Sequence, residues 1–291
     1  MTQSHLTLVS WNINSIRLRL PNVEAFVAAE NPDILCFQEI KCQTAEFPEK
    51  AFKQMGFPHL CVQGQKGGHH GVAIASRDPI EILDTPKLCR EGHARVNAIR
   101  VNGMELHNIY LPAGGDTPDP DANPKFAHKL DFVKRLGRHY GKLAKDATPR
   151  ILVGDLNIAP HPNDVWSRKQ LLKIVSHTPV EAEGLEKARK KGGFTDIARH
   201  VHEEDQRLYS WWSYRARDWA ASNKGRRLDH IWTTDAATKL TDMDSYRVHL
   251  GWRGGWKPSD HAPISSRIAT PKAASRIAEC VASARFTMSP A

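Results

Sequence analysis

The chain has 291 residues, and 41 lysines and arginines against 32 aspartates and glutamates give it a formal net charge of +9. With 40% hydrophobic and 25% charged residues, the composition is that of a folded globular protein and excludes a mostly disordered chain. No apolar run approaches the roughly 18–20 residues needed to span a bilayer, which excludes an integral membrane protein. The basic excess favours a polyanionic partner.

The cysteines indicate a reducing compartment. They are odd in number, scattered along the chain and without a CxxC pair: Cys36, Cys42, Cys61, Cys89 and Cys280. This pattern argues against a disulfide framework and against a structural zinc site. Because the first residues also lack the basic and apolar segments of a secretory signal, we expect a cytoplasmic protein.

The N-terminal part of the chain predicts a strand–helix–strand unit. Residues 6–11 and 34–37 are short apolar runs typical of buried strands. Between them a helix opens at Pro21, and Asn31 with the following proline ends it. This order implies a crossover connection and parallel pairing of the two strands.

The rest of the chain predicts further strands and two longer helices. Residues 96–110 indicate a hairpin that turns at Asn102 and Gly103, and residues 114–124 form a loop rich in glycine, proline and aspartate. A long amphipathic helix begins at Lys125 and places apolar residues on one face: Phe126, Leu130, Val133, Leu136, Tyr140 and Leu143. The remaining predicted elements are strands at residues 71–75, 150–154, 228–233 and 262–268 and a polar helix at residues 181–191.

The domain organisation is predicted to be simple. No low-complexity linker divides the chain, so we predict one domain over residues 1–269. Residues 270–291 are rich in small side chains and form a C-terminal extension, for which a helix is one interpretation.

The stretch from Arg207 to Lys257 concentrates both charge and aromatic residues. It holds ten of the lysines and arginines, five acidic residues and six of the eight tryptophans. Basic residues interleaved with aromatic rings can neutralise phosphates and stack on exposed bases. Core tryptophans with a basic rim would give the same composition, so composition alone leaves both interpretations open.

Polar side chains stand at the ends of the predicted buried strands. They are Asn12, Asn14, Glu39, Tyr110, Asp155, Asn157, Asp229, Asp260 and His261. Each one alone has an ordinary explanation, since such residues often cap turns or remain solvated. Strand ends of an α/β sheet converge on one crevice, however, and converging carboxylates repel one another unless a cation lies between them. The oxygen-rich set suits Mg²⁺ or Mn²⁺.

Five segments, taken in order, resemble the motif set of the exonuclease III family. They are DILCFQEIK at residues 33–41, GHHGVAI at 68–74, IYLPAG at 109–114, LVGDLNIAP at 152–160 and PSDHAPI at 258–264. Residues 193–196, 210–215 and 227–229 also resemble motifs of that family. The family comprises abasic-site endonucleases and 3′ exonucleases within the endonuclease/exonuclease/phosphatase superfamily. The resemblance implies an α/β fold, a four-layer sandwich of two mixed β-sheets flanked by helices.

The resemblance also implies a metal site and a catalytic set. Glu39 resembles the principal metal ligand, and the implied metal-site residues are Asn12, Glu39, Asp155, Asn157, Asp260 and His261. The implied catalytic residues are Tyr110, which contacts the scissile phosphate, Asp155, which activates water, Asn157, which steadies the phosphate, and His261, which Asp229 orients. Trp211, Arg215, Lys224 and Arg226 are the candidate DNA-binding residues, although either Trp211 or Trp212 fits the position beside an extruded abasic sugar.

The implied function is a Mg²⁺-dependent DNA phosphodiesterase of base-excision repair, with Mn²⁺ as substitute. It would act as a monomer on duplex DNA with abasic sites, nicks or blocked 3′ ends, as an abasic-site endonuclease and 3′–5′ exonuclease. Residues 161–166 are a plausible selector between these activities. Two alternatives stay open: a phosphoinositide or sphingomyelin phosphodiesterase of the same superfamily, and a DNA-binding module without catalysis.

Overall fold

A computed structural model describes residues 5–270 of the protein. Its strands are β1 (His5–Asn12), β2 (Ile34–Gln38), β3 (His59–Gln63), β4 (Val72–Ser76), β5 (Ile80–Ile82), β6 (Val96–Val101), β7 (Met104–Tyr110), β8 (Arg150–Asp155), β9 (Phe194–Asp196), β10 (Trp211–Trp212), β11 (Gly225–Arg226), β12 (Asp229–Thr234), β13 (Thr241–Val248) and β14 (Ile264–Ala269). Its α-helices are α1 (Leu20–Glu30), α2 (Glu49–Gln54), α3 (Pro124–Leu143), α4 (Arg168–Leu171), α5 (Pro179–Lys191), α6 (Ile197–Val201), α7 (Trp219–Ser222) and α8 (Asp235–Thr238).

The strands form two mixed sheets of six strands each. The first has the order β13-β14-β1-β2-β4-β3, and the second has the order β5-β6-β7-β8-β12-β9. In the first sheet β1 and β2 pair in parallel across α1, which confirms the predicted crossover. In the second sheet β7 and β8 pair in parallel across α3. The short strands β10 and β11 form a separate ribbon.

Alternating side chains sort the apolar residues into layers. On β1, Leu8 packs between the two sheets, whereas its neighbour Val9 points the other way, toward α1 and α2. The outer face of the second sheet packs on α3 and α5 through Phe132, Leu136 and Leu185. The result is the predicted four-layer sandwich of helices, sheet, sheet and helices. Within residues 5–270 no helix is both long and apolar enough to cross a membrane.

Most predicted elements are confirmed, and the longest strand that was not predicted, β13, was missed for a physical reason. The hairpin of β6 and β7 turns at Asn102 and Gly103, which have φ angles of 49° and 81° and so suit a tight two-residue turn. The long strand β13 was not predicted, because its residues are mostly polar or half-buried and its register shifts between Asp242 and Arg247. The predicted extension at residues 270–291 lies, from residue 271 onward, outside the described residues.

The topology brings the ends of several strands to one edge. Asn12 ends β1 opposite Gln38, and Tyr110 ends β7 opposite Asp155, the last residue of β8. Because β12 runs antiparallel to β8, its first residue, Asp229, also lies opposite Asp155. The polar residues that follow or begin these strands therefore meet at the same end of the sandwich.

Candidate active site

The Asn12 amide joins two carboxylates at the centre of this edge. Its Nδ2 donates to Glu39 Oε2 at 3.1 Å and to Asp155 Oδ2 at 2.8 Å. Its Oδ1 accepts from the backbone N–H of Asn14. Asn12 is fully buried and Asp155 is 1% exposed, so the bridge lies at the base of the site. The amide nitrogen, and not the oxygen, faces both acidic groups.

Backbone strain concentrates at the same residues. Glu39 and Asn157 have φ angles of 56° and 51°, in the left-handed region that non-glycine residues rarely adopt. Gly154, just before Asp155, has a φ of 140°, and a Cβ atom there would lie 1.9 Å from the carbonyl oxygen of Ile109. Only glycine therefore lets β8 approach β7 closely enough to place Asp155 beside Tyr110.

Asn157 turns back onto Asp155. Its backbone N–H donates to Asp155 Oδ1 at 2.9 Å, and its Nδ2 donates to Asp155 Oδ2 at 3.0 Å and to the carbonyl of Leu111 at 2.9 Å. Asp155 and Asn157 thus form one hydrogen-bonded unit at the end of β8. Both residues of this unit line a cavity at the edge of the sandwich.

His261 and Asp229 form a buried pair. His261 Nδ1 lies 2.8 Å from Asp229 Oδ2, which also accepts from the Ser210 hydroxyl at 2.6 Å. The other ring nitrogen, Nε2, lies 3.8 Å from Asp155 Oδ2. Burial opposes the positive charge, but the carboxylates of Asp229 and Asp155 outweigh it and raise the pKa of His261. The imidazole is therefore held charged, with Nε2 aimed at Asp155.

Negative charge is in excess at this edge. Burial, followed by the nearby Asp229 carboxylate, raises the pKa of Asp155 above its ordinary value, although His261 opposes that shift. Ligand atoms of Asp155, Asp229 and His261 all lie within 4.8 Å of one another, close enough to hold a metal ion. Asp229 Oδ1 is buried without a hydrogen-bond partner among the described residues. The carboxylate oxygens fit a hard divalent cation, which His261 would join as a ligand only in its neutral form.

Asp260 is engaged by neighbours on both of its oxygens. Oδ1 accepts from Asn14 Nδ2 at 2.9 Å, and Oδ2 accepts from Trp211 Nε1 at 2.9 Å. Lys41 extends this series of hydrogen bonds to the centre of the site, since its ammonium lies 2.6 Å from Asn14 Oδ1 and 2.8 Å from Glu39 Oε1. Asp260 thus orients the Trp211 ring, and Lys41 places a positive charge beside Glu39.

Tyr110 is fixed from behind by Arg95. The Arg95 guanidinium lies 4.9 Å from the Tyr110 ring centroid, and its Nη1 donates to the Tyr110 carbonyl. Burial, with Glu39 and Asp155 nearby, raises the pKa of Tyr110 well above its ordinary value. The phenol therefore stays protonated and can donate a hydrogen bond.

The candidate DNA-binding residues line one cavity together with the acidic edge. This cavity has a volume of about 840 Å³, and its wall includes Glu39, Tyr110, Asp155, Asn157, Trp166, Trp211, Arg215, Lys224, Arg226, Asp260 and His261. The Lys224 ammonium lies 4.8 Å from the Trp166 ring centroid, and the Arg226 guanidinium lies 5.2 Å from that of Trp211. Arg215 is exposed.

The two adjacent tryptophans have different environments. Trp211 is half-buried and packs beside Leu228, with its ring nitrogen tied to Asp260. Trp212 is only 3% exposed and packs against Tyr209 and Trp219. Trp211 is therefore the ring that the site offers to a ligand, and Trp212 belongs mainly to the core.

Several residues that shape the site were not predicted from the sequence. Lys129 is one of them, because the helical periodicity placed Leu130 on the buried face of α3. In the structure Lys129 is fully buried and Leu130 only half-buried, since Lys129 pairs with Glu181. Ser210 has no feature of its own in the sequence beyond its place in a motif. Lys41 is the last residue of the Glu39 segment at residues 33–41, and that position could have identified it.

The comparisons with known proteins agree with one another. Residues 9–261 match the model of the Endonuclease/Exonuclease/phosphatase family. The chain is 29% identical to exodeoxyribonuclease III of Haemophilus influenzae over 278 residues, which cover 89% of this chain and 98% of that protein. It is 28% identical to the DNA repair nuclease APEX1 of Danio rerio, over 90% of this chain and 82% of that protein.

Solved structures show the same architecture. The 3′ phosphatase NExo from Neisseria, bound to a product DNA hairpin, superposes with a TM-score of 0.81 at 31% identity, over 90% of this chain and 99% of that chain. An AP endonuclease from Archaeoglobus fulgidus superposes with a TM-score of 0.82 at 30% identity, over 90% of this chain and 98% of that chain.

Proposed function

Because the chain belongs to the endonuclease/exonuclease/phosphatase family and, within it, to the exonuclease III family, we propose that it is a divalent-metal-dependent DNA repair nuclease. It cleaves the phosphodiester backbone of duplex DNA at abasic sites and removes nucleotides or blocking groups from 3′ ends. The relatives named above include an exodeoxyribonuclease, an AP endonuclease and a 3′ phosphatase.

One observation carries this proposal. The carboxylates of Glu39 and Asp155 and the charged His261, which the buried Asp229 holds, lie at the wall of a cavity that also offers tryptophan rings and basic side chains. The acidic groups suit a cation and the basic and aromatic groups suit a nucleic acid. A site for DNA phosphodiester hydrolysis requires both.

The cofactor is Mg²⁺, with Mn²⁺ as substitute. Glu39 and Asp155 hold it, and Asn12 between them keeps the two carboxylates in place. The other residues of the sequence-predicted metal site, Asn157, Asp260 and His261, line the same cavity. When bound, the ion supplies positive charge that neutralises phosphate oxygens and lowers the barrier to attack on phosphorus.

The chain's own residues then carry the reaction. Asp155, as a base whose pKa is raised by burial, takes a proton from the attacking water. The charged imidazole of His261 donates to the phosphate oxygens, where negative charge develops. Asn157 steadies the same phosphate when its Nδ2 exchanges the hydrogen bond to Asp155 for one to a phosphate oxygen. Tyr110, which lies beside Asp155 at the end of β7, donates to the same phosphate. Asp229 fixes the His261 ring and its charge without touching the substrate.

The cavity explains a preference for damaged DNA. A nucleotide without a base leaves the helical stack at low cost, so a cavity can select it without reading sequence. Trp211 packs against the exposed sugar, while Arg215, Lys224 and Arg226 neutralise flanking phosphates. Trp166, from the segment at residues 161–166, forms part of the wall under Lys224, so this segment tunes the balance between endonuclease and exonuclease activity.

The protein acts as a cytoplasmic monomer. All candidate catalytic residues come from one chain, so no second copy is needed to complete the site. The four described cysteines, Cys36, Cys42, Cys61 and Cys89, are free thiols, which fits a reducing compartment.

The test is a cleavage assay on a duplex with a single abasic site, run with Mg²⁺ and with EDTA. Matched reactions use a duplex with a 3′ phosphate and a soluble inositol phosphate. We expect Mg²⁺-dependent incision at the abasic site and no turnover of the inositol phosphate. Turnover of the inositol phosphate alone would support the lipid-headgroup phosphodiesterase, and DNA binding without any cleavage would support the non-catalytic module.

A further inference from the structure

A buried ion pair lies directly behind the cavity. Lys129 of α3 and Glu181 of α5 are both fully buried, and the Lys129 ammonium lies 2.5 Å from Glu181 Oε1. Removing two charges from water costs free energy, and apolar residues often serve stability equally well. The location of the pair therefore calls for an explanation beyond stability.

The ammonium of Lys129 reaches two loops of the active site. It donates to the carbonyl of Asn157 at 2.8 Å and to the carbonyl of Ala113 at 3.1 Å. With Glu181, these acceptors use all three of its N–H donors. Asn157 follows β8 and Ala113 follows β7, so one side chain ties together the loops that carry the phosphate-binding residues.

The carboxylate of Glu181 holds a further segment of the cavity wall. It accepts from the backbone N–H of Ser176 at 2.9 Å and from the Thr178 hydroxyl at 2.6 Å. Ser176 in turn accepts from Arg226 Nη1 at 2.7 Å through its hydroxyl. Glu181 thus holds the segment that anchors Arg226, the side chain that stacks on Trp211.

The backbone leaves room for this arrangement. Gly114, next to Ala113, has a φ of 92°, and a Cβ atom there would lie 2.7 Å from Lys129 Cδ and 3.2 Å from Val175 Cγ1. A larger residue at position 114 would push against the lysine stem and the cavity wall together.

We propose that Lys129 and Glu181 are a pair of positioning residues for the nuclease reaction, in which Lys129 sets the Asn157 loop and Glu181 sets the wall that carries Arg226. The pair couples the group that holds the phosphate to the group that holds the flanking DNA. This inference rests on the proposed function. Neither residue contacts the substrate, but the pair affects both the rate of cleavage and the affinity for DNA.

A double substitution separates positioning from stability. Lys129→Met alone leaves Glu181 buried and unpaired, so both the unfolding midpoint and kcat fall. Lys129→Met with Glu181→Gln removes both charges but keeps an acceptor for Ser176 and Thr178, which restores the midpoint toward wild type. We expect kcat of the double variant to stay lower by a factor on the order of 10², because a displacement of about 1 Å is enough for such a loss. Recovery of kcat together with the midpoint would overturn the proposal.

A milder variant and a control complete the experiment. Ser176→Ala removes the hydroxyl that anchors Arg226, and we expect weaker binding of the abasic duplex, measured by fluorescence anisotropy in EDTA, at an unchanged midpoint. Unchanged affinity would overturn the Glu181 part of the proposal. The control is Glu105→Gln, which breaks a partly buried ion pair remote from the cavity and should lower the midpoint while leaving kcat intact. If the wild-type protein does not cleave the abasic duplex, the proposed function is overturned. The anisotropy measurement of DNA affinity tests the role of Lys129 and Glu181 independently of cleavage.

Discussion

The two ends of the parallel pair β7 and β8 carry opposite electrostatics. At one end Glu105 lies opposite Arg150, and at the other Tyr110 lies opposite Asp155. Arg150 lies 2.8 Å from Glu105 Oε2, and the pKa of Glu105 is lowered to about 2 by the neighbouring His107 and, against the effect of burial, by Arg150 and Arg100. At the other end the pKa of Asp155 is raised by burial and by Asp229.

The two strands therefore have one end at which the charges are balanced, at Glu105 and Arg150, and one end at which they are unbalanced, at Tyr110 and Asp155. The Glu105 end neutralises its own charges and needs no further partner. At the Asp155 end the carboxylates outnumber the cations and the backbone is strained. Both features are typical of a site that binds a cation and a substrate. The uncompensated negative charge therefore distinguishes the functional end of β7 and β8 from the structural end.

The largest effect is expected from His261. His261→Ala removes the charged donor at the unbalanced end and should lower kcat by a factor on the order of 10²–10⁴ while leaving DNA binding largely intact. Steady-state kinetics on an abasic duplex, with binding measured separately in EDTA, provide the test. A large loss of binding with unchanged kcat would contradict the assignment.

The partner of His261 sharpens this result. Asp229→Ala should cost less than His261→Ala, and the double variant should resemble His261→Ala alone, because Asp229 acts only through the ring that it holds. Multiplicative losses in this cycle would show that the two side chains act independently.

The two adjacent tryptophans, Trp211 and Trp212, are expected to differ in their effects on stability and on substrate binding. Trp212→Ala should destabilise the protein by about 3–5 kcal/mol, as for other buried tryptophans. Trp211→Ala should change the unfolding free energy less and raise KM for the abasic duplex. Urea unfolding and kinetics on both variants test this, and the reverse assignment would follow if Trp211→Ala were the more destabilising.

The exposed basic residues should affect affinity more than chemistry. Arg215→Ala and Lys224→Ala should raise KM and lower the slope of log affinity against log salt by about one unit for each phosphate that the variant no longer neutralises. Lys190→Ala, in an exposed side chain on α5, is the matched control. A salt slope equal to that of wild type in all three variants would place the DNA elsewhere on the surface.

The smallest effect is expected at the balanced end. The folded-state pKa of Glu105, about 2, lies below the ordinary value of 4.5, so the charged carboxylate stabilises the fold above pH 4.5 and that contribution disappears as pH falls toward 2. Glu105→Gln should therefore be less stable than wild type at neutral pH. The difference in unfolding free energy should shrink below pH 4.5, and a difference independent of pH would contradict this interpretation.

The sequence was most informative where local pattern decides structure. Apolar runs predicted β1, β2 and β8, and the Asn102–Gly103 turn predicted the hairpin, because these features depend on neighbouring residues. Strand order then explains why Asn12, Glu39 and Asp155 meet, since their strands end at the same edge.

Features that depend on long-range contacts were not predictable in this way. The burial of Lys129 requires Glu181, which lies 52 positions later (181 − 129) on another helix. The different roles of Trp211 and Trp212 depend on Asp260 and on the packing of Tyr209 and Trp219. No pattern of neighbouring residues carries that information, because each of these environments is assembled only when distant segments fold together.

The most direct test of the contrast between the two ends is the calorimetric titration of Mn²⁺ into wild type, Glu39→Gln and Glu105→Gln. We predict that Glu39→Gln weakens binding, since the variant has one anionic oxygen donor fewer, whereas Glu105→Gln binds as wild type does. Equal binding by wild type and Glu39→Gln, or a loss confined to Glu105→Gln, would contradict the claim that the unbalanced end is the metal site.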